Sequence, residues 1–233
     1  MKRLISTWGQ LTKHPTPLTI VCYLANINSM ISAYDSTSKR IEILRSAKEL
    51  IYEQGYAPTT LAHVANRAQV ALGNLHYYFA SKQSLAEAVI ASHVNDLLGL
   101  FAGFDALTSD PEERLKRLIR EPLANSRSII QFGCPHGSLC QELEKLGLES
   151  PLAKAGAQLL TVYEDWANKQ FLSLGFETVE AWTHAGQLIA SLQGAMLLSS
   201  THRSTDLLQR QLHQVEAWLE REIDQQRRRE YHE

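Results

Sequence analysis

Three features of this sequence predict an all-α fold. Apolar residues recur at three- and four-residue steps in segment after segment between Lys39 and Arg229, the spacing that lays one apolar stripe along a helix. Start and stop signals divide that stretch into about nine helices: Asp110-Pro111 and Ser150-Pro151 open segments, while Gly55, Gly133 and Gly175 close them. A chain of 233 residues, 44% of them hydrophobic, can also bury a sizeable core. The expected architecture is an N-terminal three-helix helix-turn-helix domain over residues 36–82 and a larger helical domain over 83–233, preceded by an extension over 1–35.

The extension fits none of the periodicity. Pro15 and Pro17 break any helix there, so residues 1–35 are either a genuine segment packed on the body or upstream sequence ahead of a true start at Met30. The apolar run from Leu18 to Ala25 falls well short of the roughly 20 residues a membrane span needs, and no membrane partner is expected. After the Asp35-Ser36-Thr37-Ser38 cluster, which can cap a helix, Ile41, Leu44, Ala47, Leu50 and Ile51 form one face of a helix over 39–54. Lys39 and Arg40 at its start oppose the helix dipole, which suits phosphate contact or a plain solvated end.

Residues 59–82, TTLAHVANRAQVALGNLHYYFASK, read as two short helices around a tight turn. Leu61, Val64, Ala65 and Ala68 stripe the first, and small Ala65 lets a second helix cross close by. After Gln69-Val70-Ala71, that second helix turns Val70, Leu75 and Phe79 inward and leaves Leu72, Gly73, Asn74, His76 and Tyr77 outward, with Lys82 nearby. Asn74 can donate to and accept from a base edge, Gly73 permits close backbone approach, and Tyr77 and Lys82 suit phosphates. A helix pair of this kind is sized for the major groove of double-stranded DNA.

Taken with Arg40 to Ala57, this block resembles the DNA-binding domain of TetR-family transcriptional regulators. The resemblance rests on an amphipathic first helix ending in Gly55-Tyr56, paired Thr59 and Thr60 opening the second, a Val-x-x-Gly-x-Leu-x-x-Tyr-Phe recognition segment and a Ser-Lys start to the fourth helix. It covers roughly Ser38 to Leu100 and departs from the family at Gln69, where glycine is usual, and at His76, where tyrosine is most frequent. What it implies is a homodimeric regulator, more often a repressor, that leaves an inverted-repeat operator on binding a small-molecule effector or on thiol modification by an electrophile. The DNA contacts it implies are Lys39, Arg40, Thr59, Thr60, Leu72, Gly73, Asn74, His76, Tyr77 and Lys82.

Charge agrees with that placement. The chain carries a net −2, yet residues 36–82 hold six Lys or Arg against three Glu, and residues 83–233 hold fourteen against twenty-one acids. A phosphate-facing surface requires a local positive balance. Three scattered cysteines, Cys22, Cys134 and Cys140, make no disulfide framework and point to a reducing cytoplasm.

In the body, helices are expected from Gln83 to about Phe104, from Pro111 to about Phe132 with a kink at Pro122, and from Ser138 to Leu146. Further helices run from Pro151 to Leu174, from Thr178 past Met196, and from Ser204 to about Arg229. Ala185, Ile189, Leu192 and Met196 on one of the last two, with Leu208, Leu212, Val215 and Leu219 on the other, suit a four-helix dimer interface; the alternative is an intramolecular pair.

Two candidate sites lie in the body. Cys134-Pro135-His136-Gly137-Ser138-Leu139-Cys140 admits a reactive cysteine, an inert structural turn or, with no fourth ligand in view, a weak zinc motif. If helical from Ser138, the segment puts Cys134 before a helix start, where the dipole and a protonated His136 lower a thiol pKa. The block also resembles one in a TetR-like branch that includes electrophile and oxidant sensors. Phe132, Tyr163, Trp166 and Trp182 form either plain core or the lining of an effector cavity. No nucleophile, base and orienter set and no phosphate loop occur, so no catalytic residue, cofactor or resident metal is expected; the competing class is a small-molecule-binding or enzymatic helical protein with a vestigial helix-turn-helix.

Overall fold

The computed structural model describes residues 38–147 and 149–232, and among them all regular structure is helical. The extension over 1–35, with its Met30 alternative and Cys22, lies outside the described residues. The chain falls into two units, Met1–Arg45 and Ser46–Glu233. Of the first, residues 38–45 are described, and they form the opening turns of α1 (38–54), where Arg45 pairs with Glu42 at 2.6 Å.

The second unit holds the rest of α1 and nine further helices. These are α2 Leu61–Arg67, α3 Leu72–Tyr78, α4 Lys82–Leu107, α5 Pro111–Ala124, α6 Ser126–Phe132, α7 Pro135–Glu144, α8 Pro151–Ser173, α9 Thr178–Thr201 and α10 Thr205–His232. The caps at Asp110 and Ser150 fall where the sequence places them. Asp110 accepts from the Glu112 N–H at 3.0 Å, Ser150 from the Ala153 N–H at 3.4 Å, and a Ser81/Ser84 capping box opens α4.

Two boundaries differ from expectation. The helix expected over 111–132 is two helices: Pro122 stays inside α5, and the chain leaves helical geometry three residues later at Asn125 (φ −113°, ψ 20°). Proline removes a backbone donor and crowds the carbonyl four residues back, so the helix ends soon after it. The short helix expected from Ser138 starts at Pro135, with Cys134 as N-cap. Proline at the first helical position belongs to the helix it opens, because its missing N–H would have no partner there anyway.

The core is a helical stack in which α8 runs along α9, α4 and α7, and α10 backs α9. Phe101 of α4 stacks on Trp166 of α8 at 4.5 Å and 11°. Lys116 and Arg120 of α5 pair with Glu220 and Glu216 of α10, and Arg227 reaches Glu112 at 2.8 Å. The residues expected at a dimer interface, Ala185, Ile189, Leu192, Met196, Leu208, Leu212, Val215 and Leu219, are all buried inside this one chain. Apolar period fixes that a stripe is covered, not by what. Here α8, α5 and α6 cover it.

By length and hydropathy, α4 alone among the described helices could cross a membrane. It instead turns Leu85, Ala86, Val89, Ile90, Leu97 and Phe101 into the protein and carries Asp96, which is ion-paired with Lys48 of α1.

Candidate DNA-reading head and effector cavity

The α2–α3 pair is built around its turn. Thr60 caps α2 by accepting from the His63 N–H at 3.1 Å. At the other end, the Val70 N–H reaches the Ala65 carbonyl (3.0 Å) and the Gln69 N–H the Asn66 carbonyl (3.1 Å). That bonding pattern needs a left-handed residue between them, and Gln69 supplies it with φ +54°. Val64, Ala65, Ala68, Leu75 and Phe79 are buried, and Arg67 forks onto Glu53 at 2.6 and 2.9 Å, tying α2 to α1.

Leu72, Gly73, Asn74, His76 and Tyr77 form one exposed face of α3, Tyr77 at 83% exposure. A Cβ on Gly73 would meet nothing within 4 Å. Thr60 is also exposed, as are Lys39 and Arg40 in the first turn of α1. Thr59 is a correction: it is buried, donating to the Gly55 carbonyl at 2.7 Å and accepting from Gln54 at 3.1 Å. It therefore braces the turn and has no hydroxyl to offer DNA. Lys82 is committed as well, donating to the Ala57 carbonyl at 2.8 Å with its ammonium 4.3 Å from the Tyr56 ring centre. Burial pulls its pKa down against the opposing pull of Glu142.

Behind the head, α1 and α4 to α9 enclose a cavity of about 410 Å³. Tyr163 lines it as expected; Cys134 and His136, read in the sequence as a separate cysteine turn, line it too, together with Lys48, His93, Asp96 and Glu121, which sequence reasoning missed. His93 and Asp96 sit on a helix whose apolar stripe hides them, and Glu121 sits beside Pro122 in a run of charges. Of the other expected lining residues, Phe132 packs edge-on to Tyr52 at 5.3 Å in a separate, smaller groove. Trp166 is core, and Trp182 lies 44% exposed on the outer side of α9. Aromatic spacing alone does not say which face of a helix meets a void.

A hydrogen-bonded chain crosses the cavity wall. His93 Nδ1 lies 3.2 Å from His136 Nε2, and His136 Nδ1 lies 3.0 Å from the Tyr163 hydroxyl. Burial pushes His93 down to about 3 and His136 down to about 4, so both rings are neutral near pH 7. This reverses the expectation for Cys134. Its sulfur does accept from the Gly137 N–H at 3.4 Å, but burial pushes the thiol pKa up, and neutral His136 provides no cation to oppose that. Cys140 donates to the Gly156 carbonyl at 3.1 Å and is pushed up to about 11. Among the described residues no group of three or more His, Cys, Asp or Glu side chains is placed to hold a metal.

The sequence model described as bacterial regulatory proteins of the tetR family matches residues 43–89, which run from α1 through the exposed α3 face into α4. An uncharacterised HTH-type transcriptional regulator in the lacX 3′ region of Lactococcus lactis subsp. lactis is 26% identical over 182 residues, 77% of this chain and 92% of that one. Residues 43–89 carry the DNA-binding region described for the tetR family. The chain is a DNA-binding transcriptional regulator, and its relatives are named as regulators, not enzymes. The HTH-type transcriptional repressor KstR2 of Rhodococcus jostii is 29% identical over 83 residues, 36% of this chain, and the match spans 41% of that relative's length. A TetR transcriptional regulator from Legionella pneumophila shares the fold at a TM-score of 0.68 and 19% identity, over 76% of this chain and 94% of that one.

One helix touches both the cavity and the head. The N-terminus of α7 is cavity wall, through Cys134 and His136. Two residues before its last residue, Glu144, the Glu142 carboxylate accepts from the N–H groups of Tyr56 and Ala57, the latter at 3.3 Å. Those amides belong to the turn between α1 and α2. Gly55 (φ +92°) opens that turn, and a Cβ there would collide with the same carboxylate. Tyr52 adds a second tie, donating to the Gly133 carbonyl at 2.8 Å.

Proposed function

We propose that this TetR-family regulator is a homodimeric repressor that leaves an inverted-repeat operator when a small molecule fills the cavity. In this reading residues 36–82 are the reading head, residues 83–233 the effector-binding and dimerisation body, and the protein works in the cytoplasm, where its DNA lies. One observation carries the switch: α7 starts in the cavity wall and holds the α1–α2 turn through Glu142. A ten-residue helix is a rod of about 15 Å, so a ligand that displaces its start displaces Glu142 with it. The ligand then favours body conformations in which the heads no longer match the half-sites. This route makes α7 the first link. Thiol modification is the weaker trigger, because the Cys134 thiol is buried and held protonated. Repression is favoured over activation by the named activity of the KstR2 relative.

For the dimer, the outer side of α9 replaces the residues now placed in the core. Val179, Trp182, Ala190 and Leu197 are exposed there, and a Cβ on Gly186 or Gly194 would meet nothing within 4 Å. Small residues let a second helix approach, while the flanking large apolar side chains supply area to bury.

Nuclease footprinting on DNA upstream of the protein's own gene tests the reading. Two protected half-sites related by inversion are expected. Asn74→Ala should lose about 1 to 3 kcal/mol on that DNA and little on random sequence. Equal loss on both, or no protection, sinks it.

A further inference from the structure

The charges around the cavity do not cancel, and the imbalance has a sign. Four charged side chains line it: Lys48, Glu49, Asp96 and Glu121. Lys48 is ion-paired with Asp96 and also donates to Ser92 at 3.4 Å. Glu49 lies 3.7 Å from the Arg67 guanidinium. Glu121 has no cation beside it among the described residues; its carboxylate accepts one hydrogen bond, from the Asn125 amide at 3.1 Å. The remaining ionisable groups of the wall are uncharged near pH 7. His93 and His136 are pushed down by burial, and Cys134 and Tyr163 are pushed up, first by burial and in both cases further by the charge of Glu121. Burial also pushes Glu121 itself up, the mark of a carboxylate short of compensation. A buried or half-buried carboxylate in an apolar pocket gains from a positive partner and is made worse by a second anion.

We propose that the cavity takes an organic cation, a protonated amine on a compact apolar body, with Glu121 as its counter-ion. The amine donates to the Glu121 carboxylate, and the body lies against Leu97, Leu118, Ile129, Ile189, Leu192 and Met196. At about 410 Å³ the cavity is within the range that encloses small organic ligands. Lys48 is no competing anion site, since Asp96 already answers it. The proposal rests on the reading of this cavity as the effector site and adds the ligand's charge.

Three probes that differ at the head group test it: 4-phenylbutylamine, 4-phenylbutanol and 4-phenylbutyrate, each titrated calorimetrically into the full chain. The amine is expected to bind at least tenfold more tightly than the alcohol, with the carboxylate weakest. Glu121→Gln should bring amine and alcohol within about threefold of each other while leaving the alcohol's affinity as it was. The variant's melting temperature should match or exceed the parent's, since a poorly compensated carboxylate is removed. The proposal is overturned if the carboxylate binds as well as the amine, if the amine's advantage survives in Glu121→Gln, or if none of the three binds up to its solubility limit. A gel-shift with amine-saturated protein separates this from the effector reading: an amine that binds with the expected ranking but leaves the operator complex intact supports the ligand class and sinks the switch.

Discussion

At the scale of single residues, the left-handed positions separate a tolerated cost from a used one. Gln69 (φ +54°) sits where the turn between α2 and α3 needs a residue without side-chain strain, and its side chain is exposed. Gln69→Gly should therefore stabilise the protein by about 1 kcal/mol, less the entropy glycine adds to the unfolded chain. That is a rise of about 2 to 4 °C in melting temperature for a domain of this size. Arg203 (φ +52°) has the same backbone but a different job: its guanidinium donates to the Ile130 carbonyl at 2.8 Å and to the Gln131 carbonyl, closing the end of α6. Arg203→Gly should lower the melting temperature for that reason. Paired thermal melts check both signs, and a Gln69→Gly variant no more stable than the parent would remove strain as the account of that turn.

At the scale of elements, sequence pattern carried furthest where one stretch holds both the stripe and its punctuation. The stripe positions Val64, Ala65 and Ala68, the turn at Gln69 and the inward Leu75 and Phe79 were legible, because a short helix pair must bury those positions whatever else the chain does; Leu61, at the start of the stripe, is only half-buried. The Asp110-Pro111 and Ser150-Pro151 starts were legible for the same local reason. The start of α7 was not, since Pro135 reads equally as the end of one helix or the first residue of the next. The cavity was legible in Tyr163 and illegible in Lys48, His93, Asp96, Glu121, Cys134 and His136, whose meeting depends on how distant helices stack. The contact of α7 with the reading head is of that distant kind too. Replacing Glu142 by Ala leaves the Tyr56 and Ala57 amides without the acceptor they share. Hydrogen exchange at those two amides should accelerate at least tenfold, while buried α9 amides keep their parental rates. Unchanged exchange at Tyr56 and Ala57 would mean that α7 does not hold the turn.

At the scale of the whole molecule, charge and exposed apolar surface bear on how the proposed dimer would meet DNA. Residues 36–82 carry a net +3 and residues 83–233 a net −7, so the acidic body is repelled by phosphate and the head is the part that approaches it. A seven-residue recognition helix reads only a few base pairs, which makes a second head necessary for a specific site. The outer side of α9 is the surface argued to bring that second head. Ala190→Glu places a charge between Trp182 and Leu197 on the exposed side, where one chain has room for it but a close-packed pair does not. The variant should sediment at the 26.2 kDa of one chain, where the parent sediments at twice that mass, with unchanged helix content. Its operator affinity should fall at least a hundredfold, because each head then binds alone. Leu192→Glu on the buried side of the same helix should instead unfold the body, since it places a charge in the core with no partner. A parent that sediments as one chain, or an Ala190→Glu variant that still sediments as two, would move the dimer contact off α9.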